Sequence, residues 1–363
     1  MGACRYRTRM RRILPLALPL TLLACNGGSE PPAPRPSASP TPSPTATTDT
    51  ATPPRPLPLT KFGNWAAGCD NGGTCQAGSL MPEDGDAPAL TVSIERAAGP
   101  DAPVAIRLRS QETIALPLTA QIDGEAVARG GTQQDDAITL TDAPAMALAA
   151  KLAAGKTLTL IDAKGQRVAP LSLPGASAAL RWIDDRQGRV GTTGAIVARG
   201  TSPDTRPAPP VPVVRAATIR GEAALLDPLL ITSMRKQAEC DGGDLPDVTT
   251  KTLDGPRTLA IVPCAEGAYN ILSALFVIER GAAVPASFDT PVAGDSDGDL
   301  VYNATFEDGI LDTFAKGRGL GDCGVTQRYA WDGTRFRLVE QRVMDECRGN
   351  PDFIRTWTAR VIR

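Results

Sequence analysis

Ala89-Leu90-Thr91-Val92-Ser93-Ile94 puts an apolar side chain at every second position. That is the spacing of a β-strand with one face on a core and the other outside it. Val104-Ala105-Ile106-Arg107-Leu108, Leu118-Thr119-Ala120-Gln121-Ile122 and Thr157-Leu158-Thr159-Leu160-Ile161 repeat the alternation. Asp123-Gly124 and Lys164-Gly165 supply turns after two of these runs. Two helices interrupt the series. Asp142 is expected as an N-cap, with Pro144 in the first turn, the helix formers Ala145 to Ala154 behind it and Gly155 as its stop. A shorter helix is expected from Ser177 to Gln187, ended by Gly188.

Beyond residue 200 the composition changes. Residues 201–213 hold five prolines and read as a linker between a first region, 59–200, and a second, 214–363. In the second, Leu226 to Gln237 reads as a helix, and Leu259 to Val262 and Ile271 to Ile278 read as strands. A β-meander closes the chain: Leu300 to Phe306, Leu311 to Phe314, Gln327 to Trp331, Phe336 to Val343 and Ile354 to Ile362, with Asp308-Gly309 and Asp332-Gly333 as hairpin turns. The fold expected is α+β and β-rich: two antiparallel-sheet domains with a few short helices, each long enough for its own core.

The N-terminal 58 residues follow different rules. Arg5, Arg7, Arg9, Arg11 and Arg12 precede a short apolar run from Ile13 to Ala24, the pattern of an export signal covering 1–24. The run is too short to span a bilayer. It ends Leu22-Leu23-Ala24-Cys25, similar to a lipobox, so Cys25 is the expected lipidation site; Met10 could equally open a complete signal. Three acyl chains there would exceed the two membrane signals that stable anchoring requires. Asn26, rather than Asp, follows Cys25. By the sorting rules of such lipoproteins this favours the outer membrane, facing the periplasm. From Asn26 to Pro58, 11 of 33 residues are Pro. With Ser, Thr and Ala filling most of the rest, residues 25–58 read as a disordered tether that cannot bury a core. Extended, it reaches roughly 100 Å; coiled, it averages about 30 Å.

Cysteine use agrees with export. Cys4 leaves with the signal and Cys25 takes lipid. Cys69, Cys75, Cys240, Cys264, Cys323 and Cys347 remain, an even six in an oxidising compartment. Pairing sequence neighbours gives Cys69–Cys75, Cys240–Cys264 and Cys323–Cys347, the simplest of fifteen connectivities. A zinc cluster is the alternative, but no Cys-x-x-Cys occurs.

The chain has no His, which excludes Ser-His-Asp and Cys-His nucleophiles and His metal ligands. Aromatics at 4% are too few for a base-stacking platform. Removing the five signal arginines from 38 basic residues leaves 33 against 40 acidic, a net of −7, so nucleic acid is not an expected partner. Three strings imitate catalytic motifs. Gly294-Asp295-Ser296-Asp297-Gly298 spells a hydrolase elbow, without a His to serve the Ser. Ser233-Met234-Arg235-Lys236 spells S-x-x-K, whose Lys needs burial that this polar stretch does not promise. Gly319-Leu320-Gly321-Asp322-Cys323-Gly324 spells G-x-G-x-x-G, but a strand rather than a helix is expected after it. Asp295, Asp297 and Asp299, with Asp289 nearby, offer hard oxygens for Ca²⁺, or form a hairpin loop whose acids face water. Leu300 and Phe306 stand where an EF-type loop needs Gly and Glu. No metal or cofactor is expected.

Phe62-Gly63-Asn64-Trp65, Cys69-Asp70-Asn71 and Cys75-Gln76-Ala77 resemble the opening of domain-of-unknown-function family 1176, a bacterial envelope family. Further matching blocks are Ala179 to Gly191, Cys264 to Asn270, Gly317 to Gly324 and Trp331 to Phe336, so the resemblance covers about residues 60 to 361. The first region also resembles the invasion-associated locus B proteins. The resemblance implies export and a two-part β-rich fold, and no activity. Polar residues inside two of those blocks are the candidate ligand-binding groups. Arg186 and Arg189, with Asp184, Asp185 and Gln187, could grip a carboxylate or phosphate, or could cross-link helix and sheet. Glu266, Tyr269 and Asn270 are the second set. The function expected is a non-catalytic binding or structural module of the periplasm, joined to the membrane by its lipid and to an envelope protein or the cell wall by its surface. The alternative is a hydrolase of cell-wall or carbohydrate material using two carboxylates.

Overall fold

The alternating runs pair two by two, in two different sheets, in the computed structural model, which describes residues 53–363 except 84, 86–88, 169, 241–244 and 295–299. β1 (Thr60–Lys61), β2 (Trp65–Cys69), β3 (Cys75–Ser79), β4 (Leu90–Arg96) and β5 (Val104–Ser110) form an antiparallel sheet. β9 (Ala137–Thr141) and β8 (Thr132–Gln134) extend it past β5. A second sheet has the order β11-β10-β6-β7, from β6 (Leu118–Ile122), β7 (Glu125–Gly130), β10 (Thr157–Ile161) and β11 (Leu171–Ser172). One core lies among the two sheets and helices α1 (Asp142–Leu152) and α2 (Ala176–Arg186). It takes Leu90, Val92 and Ile94 from β4, Val104, Ile106 and Leu108 from β5, Leu148 and Leu152 from α1, and Leu180 and Ile183 from α2. Burying such side chains stabilises the fold by about 1.5–3 kcal/mol each.

The second half repeats the principle. β13 (Thr249–Thr252), β14 (Thr258–Glu266), β15 (Ile271–Glu279) and β16 (Ala282–Pro285) form a sheet in that order, and β17 (Leu300–Tyr302) also pairs with β15. β18 (Thr305–Glu307), β19 (Ile310–Lys316), β20 (Gly324–Trp331), β21 (Phe336–Met344) and β22 (Ile354–Thr358) make an antiparallel meander. Leu259, Ile261 and Leu275 meet Leu311, Tyr329, Trp331 and Phe336 in one cluster. The other face of β14 and β15 receives α3 (Pro228–Gln237), whose Met234 packs with Val262 and Phe276. β12 (Val213–Arg215) and β23 (Arg360–Ile362) pair in parallel.

Three expectations change in detail, each for a local reason. Thr141, not Asp142, occupies the N-cap of α1, in extended conformation and without a side-chain cap. β9 runs directly into α1, so the chain turns within Asp142, whose φ of +56° lies in the left-handed region that Asp tolerates. The strand expected from Leu300 to Phe306 breaks at Asn303, φ +47°, and the chain passes there from one sheet to the next. The Asn303 amide fixes the break by donating to the Asn270 side-chain oxygen at 2.7 Å and to the Phe314 carbonyl at 2.7 Å. The last strand likewise divides at Ala359, after which β23 leaves β21 for β12.

The cysteines pair as sequence neighbours: Cys69–Cys75, Cys240–Cys264 and Cys323–Cys347. Among the described residues no helix is long and apolar enough to cross a membrane.

Residues 203–212 form no helix or strand, and Pro209 and Val211 lie against Gly73 and Gly72. The halves meet along residues 348–358. Ala66 and Leu80 pack with Cys323, Met344 and Ile354 in a shared apolar cluster.

Candidate functional site

Strand alternation decides what faces outward from the first sheet. Because Val92, Ile94, Ile106 and Leu108 point into the core, Thr91, Ser93, Glu95, Arg107 and Arg109 stand on the opposite face. The register sets Thr91 across from Arg109 and Ser93 across from Arg107. Residues 349–354 from the second half cross this polar face as a strap. Asn350 is fully buried under it, donating to the Ser79 carbonyl at 2.9 Å and accepting from the Asp352 amide at 3.0 Å. One oxygen of Asp352 accepts from Arg109 Nε and Nη2 at 3.0 and 2.8 Å, with Arg107 Nε at 3.4 Å. Its second oxygen is sealed from solvent with no hydrogen-bond partner among the described residues. Arg348 donates to the Met81 carbonyl and to Asn64, and Arg355 donates to Asp70 at 2.6 Å.

Two open cavities flank the strap, with Pro351 in the wall of both. One, about 500 Å³, is lined by Gln76, Ser93, Glu95, Arg107, Arg342 and Asp352. Its carboxylates are already engaged: Glu95 accepts from Gln76 Nε2 at 2.8 Å, and Asp352 is held by the arginines. The other, about 710 Å³, reaches Thr91, Arg109, Asp136 and the loop bearing Arg318 and Leu320.

A third feature is apolar. Asp227 caps α3, its carboxylate accepting from the Leu229 amide at 2.7 Å, and Pro228 opens the helix. Leu229, 79% exposed, lies in the first turn, and Leu225, 99% exposed, precedes the cap; both line a cleft of about 500 Å³ with Leu226, Leu230 and Ile278. Large apolar side chains so fully offered to water, and adjacent, mark interaction surfaces.

Of the ligand-binding candidates singled out from the sequence, Asp184, Gln187, Arg189, Tyr269 and Asn270 are brought into bonded networks. Asp184 is fully buried at the end of α2 and accepts from the amides of Ile196, Val197 and Ala198 at 2.8, 2.8 and 2.9 Å. Gln187 donates to the carbonyls of Gly73 and Arg96, both at 2.9 Å. Arg189, 2% exposed, pairs with Asp204 and donates to Gln187 at 2.9 Å and to the Gly99 carbonyl. Burial and the like charge of Arg189 pull the nearby Arg96 guanidinium down to about 10. Arg186 and Asp185 project outward instead, the Arg186 guanidinium 5.3 Å above the Trp182 ring. The network therefore cross-links helix and sheet.

Asn270 accepts from Asn303 and donates to the Lys316 carbonyl at 3.0 Å. Tyr269 donates to the Gly317 carbonyl at 3.2 Å, and Glu266 is exposed. Tyr269 and Asn270 thus brace the glycine-rich loop, which leads into β20 rather than a helix, and Glu266 takes no part.

Ser233 and Lys236 both face solvent on α3. Asp295, Ser296, Asp297 and Asp299 lie outside the described residues, as does Cys25. Asp289 accepts from Arg337 Nε and the Leu338 amide, both at 2.9 Å; burial nevertheless raises its carboxyl above the usual range. Among the described residues no cluster of three metal-ligating side chains occurs.

Sequence reading missed Arg109, Asp352, Leu225 and Leu229. The arginines carried a signal, as charges at the polar positions of an alternating strand; Asp352 did not.

A family model described as protein of unknown function (DUF1176) matches residues 59–360. Uncharacterized protein YpfG of Escherichia coli (strain K12) is 28% identical over 322 residues, covering 79% of this chain and 88% of that protein. Among solved structures, the crystal structure of invasion associated protein b from Bartonella henselae is similar at 21% identity, with a TM-score of 0.29. It covers 36% of this chain and 99% of that one.

Proposed function

Since the chain belongs to DUF1176, a family of unknown function, we propose that it is a non-catalytic envelope lipoprotein that docks a partner protein through the apolar surface at the start of α3. The observation that carries the reading is the near-complete exposure of Leu225 and Leu229 beside a cleft. A surface of that kind loses free energy in water and recovers it against a complementary apolar face. The basic and apolar N-terminus, Leu22-Leu23-Ala24-Cys25 and the Pro-rich stretch support a lipid anchor, palmitate among its acyl chains, and a spacer. Asn26 supports the outer membrane, facing the periplasm. The three disulfides agree with an oxidising compartment.

A hydrolase of cell-wall or carbohydrate material would instead place two carboxylates in one groove, one of them protonated for acid catalysis. Glu95 and Asp352 share a groove, but Gln76 and two arginines engage them, and the raised carboxyl of Asp289 sits under Arg337. The binding reading is therefore preferred.

Its test is a photo-crosslinking residue at position 229 in intact cells, with position 190 as an exposed control on the other half. A single crosslinked protein from 229, absent from 190 and abolished by Leu225→Asp, is the expected result. Equal products from both positions, or none from 229, sink the proposal. Lipidation is read separately: Cys25→Ser should release the protein from the membrane fraction.

A further inference from the structure

The larger cavity beside the strap has features of a ligand site independent of the α3 surface. Thr91 is 5% exposed, points to the polar face of the sheet, and its hydroxyl has no hydrogen-bond partner among the described residues. A buried hydroxyl without a partner costs free energy that a ligand can recover. Across from it, Asp352 clamps Arg109 through Nε and Nη2 and leaves Nη1 for one acceptor, Asp136. The Asp136 side chain is 75% exposed, on the turn between β8 and β9, so it can leave Arg109 without opening the core.

Arg318 lines the same cavity, held by Asp322 through Nε and Nη2 at 2.7 and 2.6 Å. Both guanidiniums thus already take carboxylates, the planar anion whose oxygens match the guanidinium fork. At the rim, Leu320 is 79% exposed and Met81 adds a second apolar wall. The volume of about 710 Å³ falls in the usual range for small-ligand cavities.

We propose that this cavity binds a carboxylate carrying an apolar side group, the carboxylate replacing Asp136 on Arg109, with Thr91 donating to it and Leu320 covering the apolar group. Asp136 is then an internal competitor that holds the site closed when empty. The chemistry fits a free N-acylated amino acid or the C-terminus of a peptide.

The test uses the full-length lipidated protein in detergent micelles and calorimetric titration. One arm is N-acetyl-leucine; the other is a tetrapeptide ending in leucine, with its amidated form as control. Binding of either free carboxylate and not of the amide is expected, and the arm that binds identifies the source. Asp136→Asn should tighten binding several-fold by removing the competitor. The isosteric Thr91→Val should weaken it roughly tenfold, the loss of one hydrogen bond to a charged group. Both sites sit where substitution leaves the core filled. Equal binding of the amide, no binding by either carboxylate, or an unchanged affinity in Asp136→Asn overturns the proposal. Leu225→Asp should leave this affinity unchanged, so the docking surface and the cavity fail or stand separately.

Discussion

Asp184 shows how one buried acid can order a loop. Its two oxygens accept from three consecutive backbone amides, of which the Ile196 amide is buried and has no water to turn to. Asp184→Ala should cost about 2–4 kcal/mol, roughly 1–3 for the buried amide left without an acceptor and less for the two part-exposed ones, read as a lowered urea midpoint. A variant within 1 kcal/mol of wild type (about the error of such comparisons) would mean the amides find other partners. Acid sensitivity is set by other carboxyls. Arg318 donates to both oxygens of Asp322 and holds its carboxyl below the ordinary 3.8, despite burial. That stabilisation is full above 3.8 and is lost as pH falls through the lowered value. Asp289 has the opposite sign. Burial raises its carboxyl, so the native chain binds the proton more tightly than the unfolded chain, and stability declines as pH rises from 3.8 through the raised value. Melting temperature plotted against pH should show Asp322→Asn flattening the acid limb and Asp289→Asn flattening the limb above it. Parallel curves for wild type and both variants would contradict these assignments.

At the scale of elements, the strap depends on its fastening. Cys347 immediately precedes Arg348 and is tied to Cys323 at the end of the glycine-rich loop. Replacing both cysteines by Ala should lower stability by about 2–4 kcal/mol in urea titration, through freedom regained by the unfolded chain. The strands beneath were legible because period-two alternation is a local property: Val92, Ile94, Ile106 and Leu108 all fall on the core side as read. The first helix was legible from Pro144 and Gly155 and the second from its stop at Gly188. The strap was not. Arg109 and Asp352 are 243 positions apart, and only the folded path of the second half brings them together. Asn303 escaped for a different reason. A polar residue in an alternating run reads as an outward position, whereas here it takes the left-handed conformation and switches the chain between sheets.

For the whole molecule, the two halves share an apolar cluster and a row of buried and part-buried polar contacts along residues 348–358. Such a seam couples their stabilities, and the described residues group as a single compact unit. Thermal unfolding followed by circular dichroism and by tryptophan fluorescence should therefore trace one transition. Trp65 and Trp182 report the first half, and Trp331 and Trp357 the second. Two separated transitions would show that the seam contributes little. Delivery from the N-terminus gives the strap a further consequence. Whether the chain emerges from a ribosome or from an export channel, β1 to β11 arrive well before residue 348, so the emerging chain must wait with Arg107 and Arg109 lacking Asp352 until its final segment follows. A stop codon just upstream of 348 would then be more damaging than the few missing residues suggest, because the lost segment both covers the polar face of the first half and supplies the β22 and β23 pairings of the second.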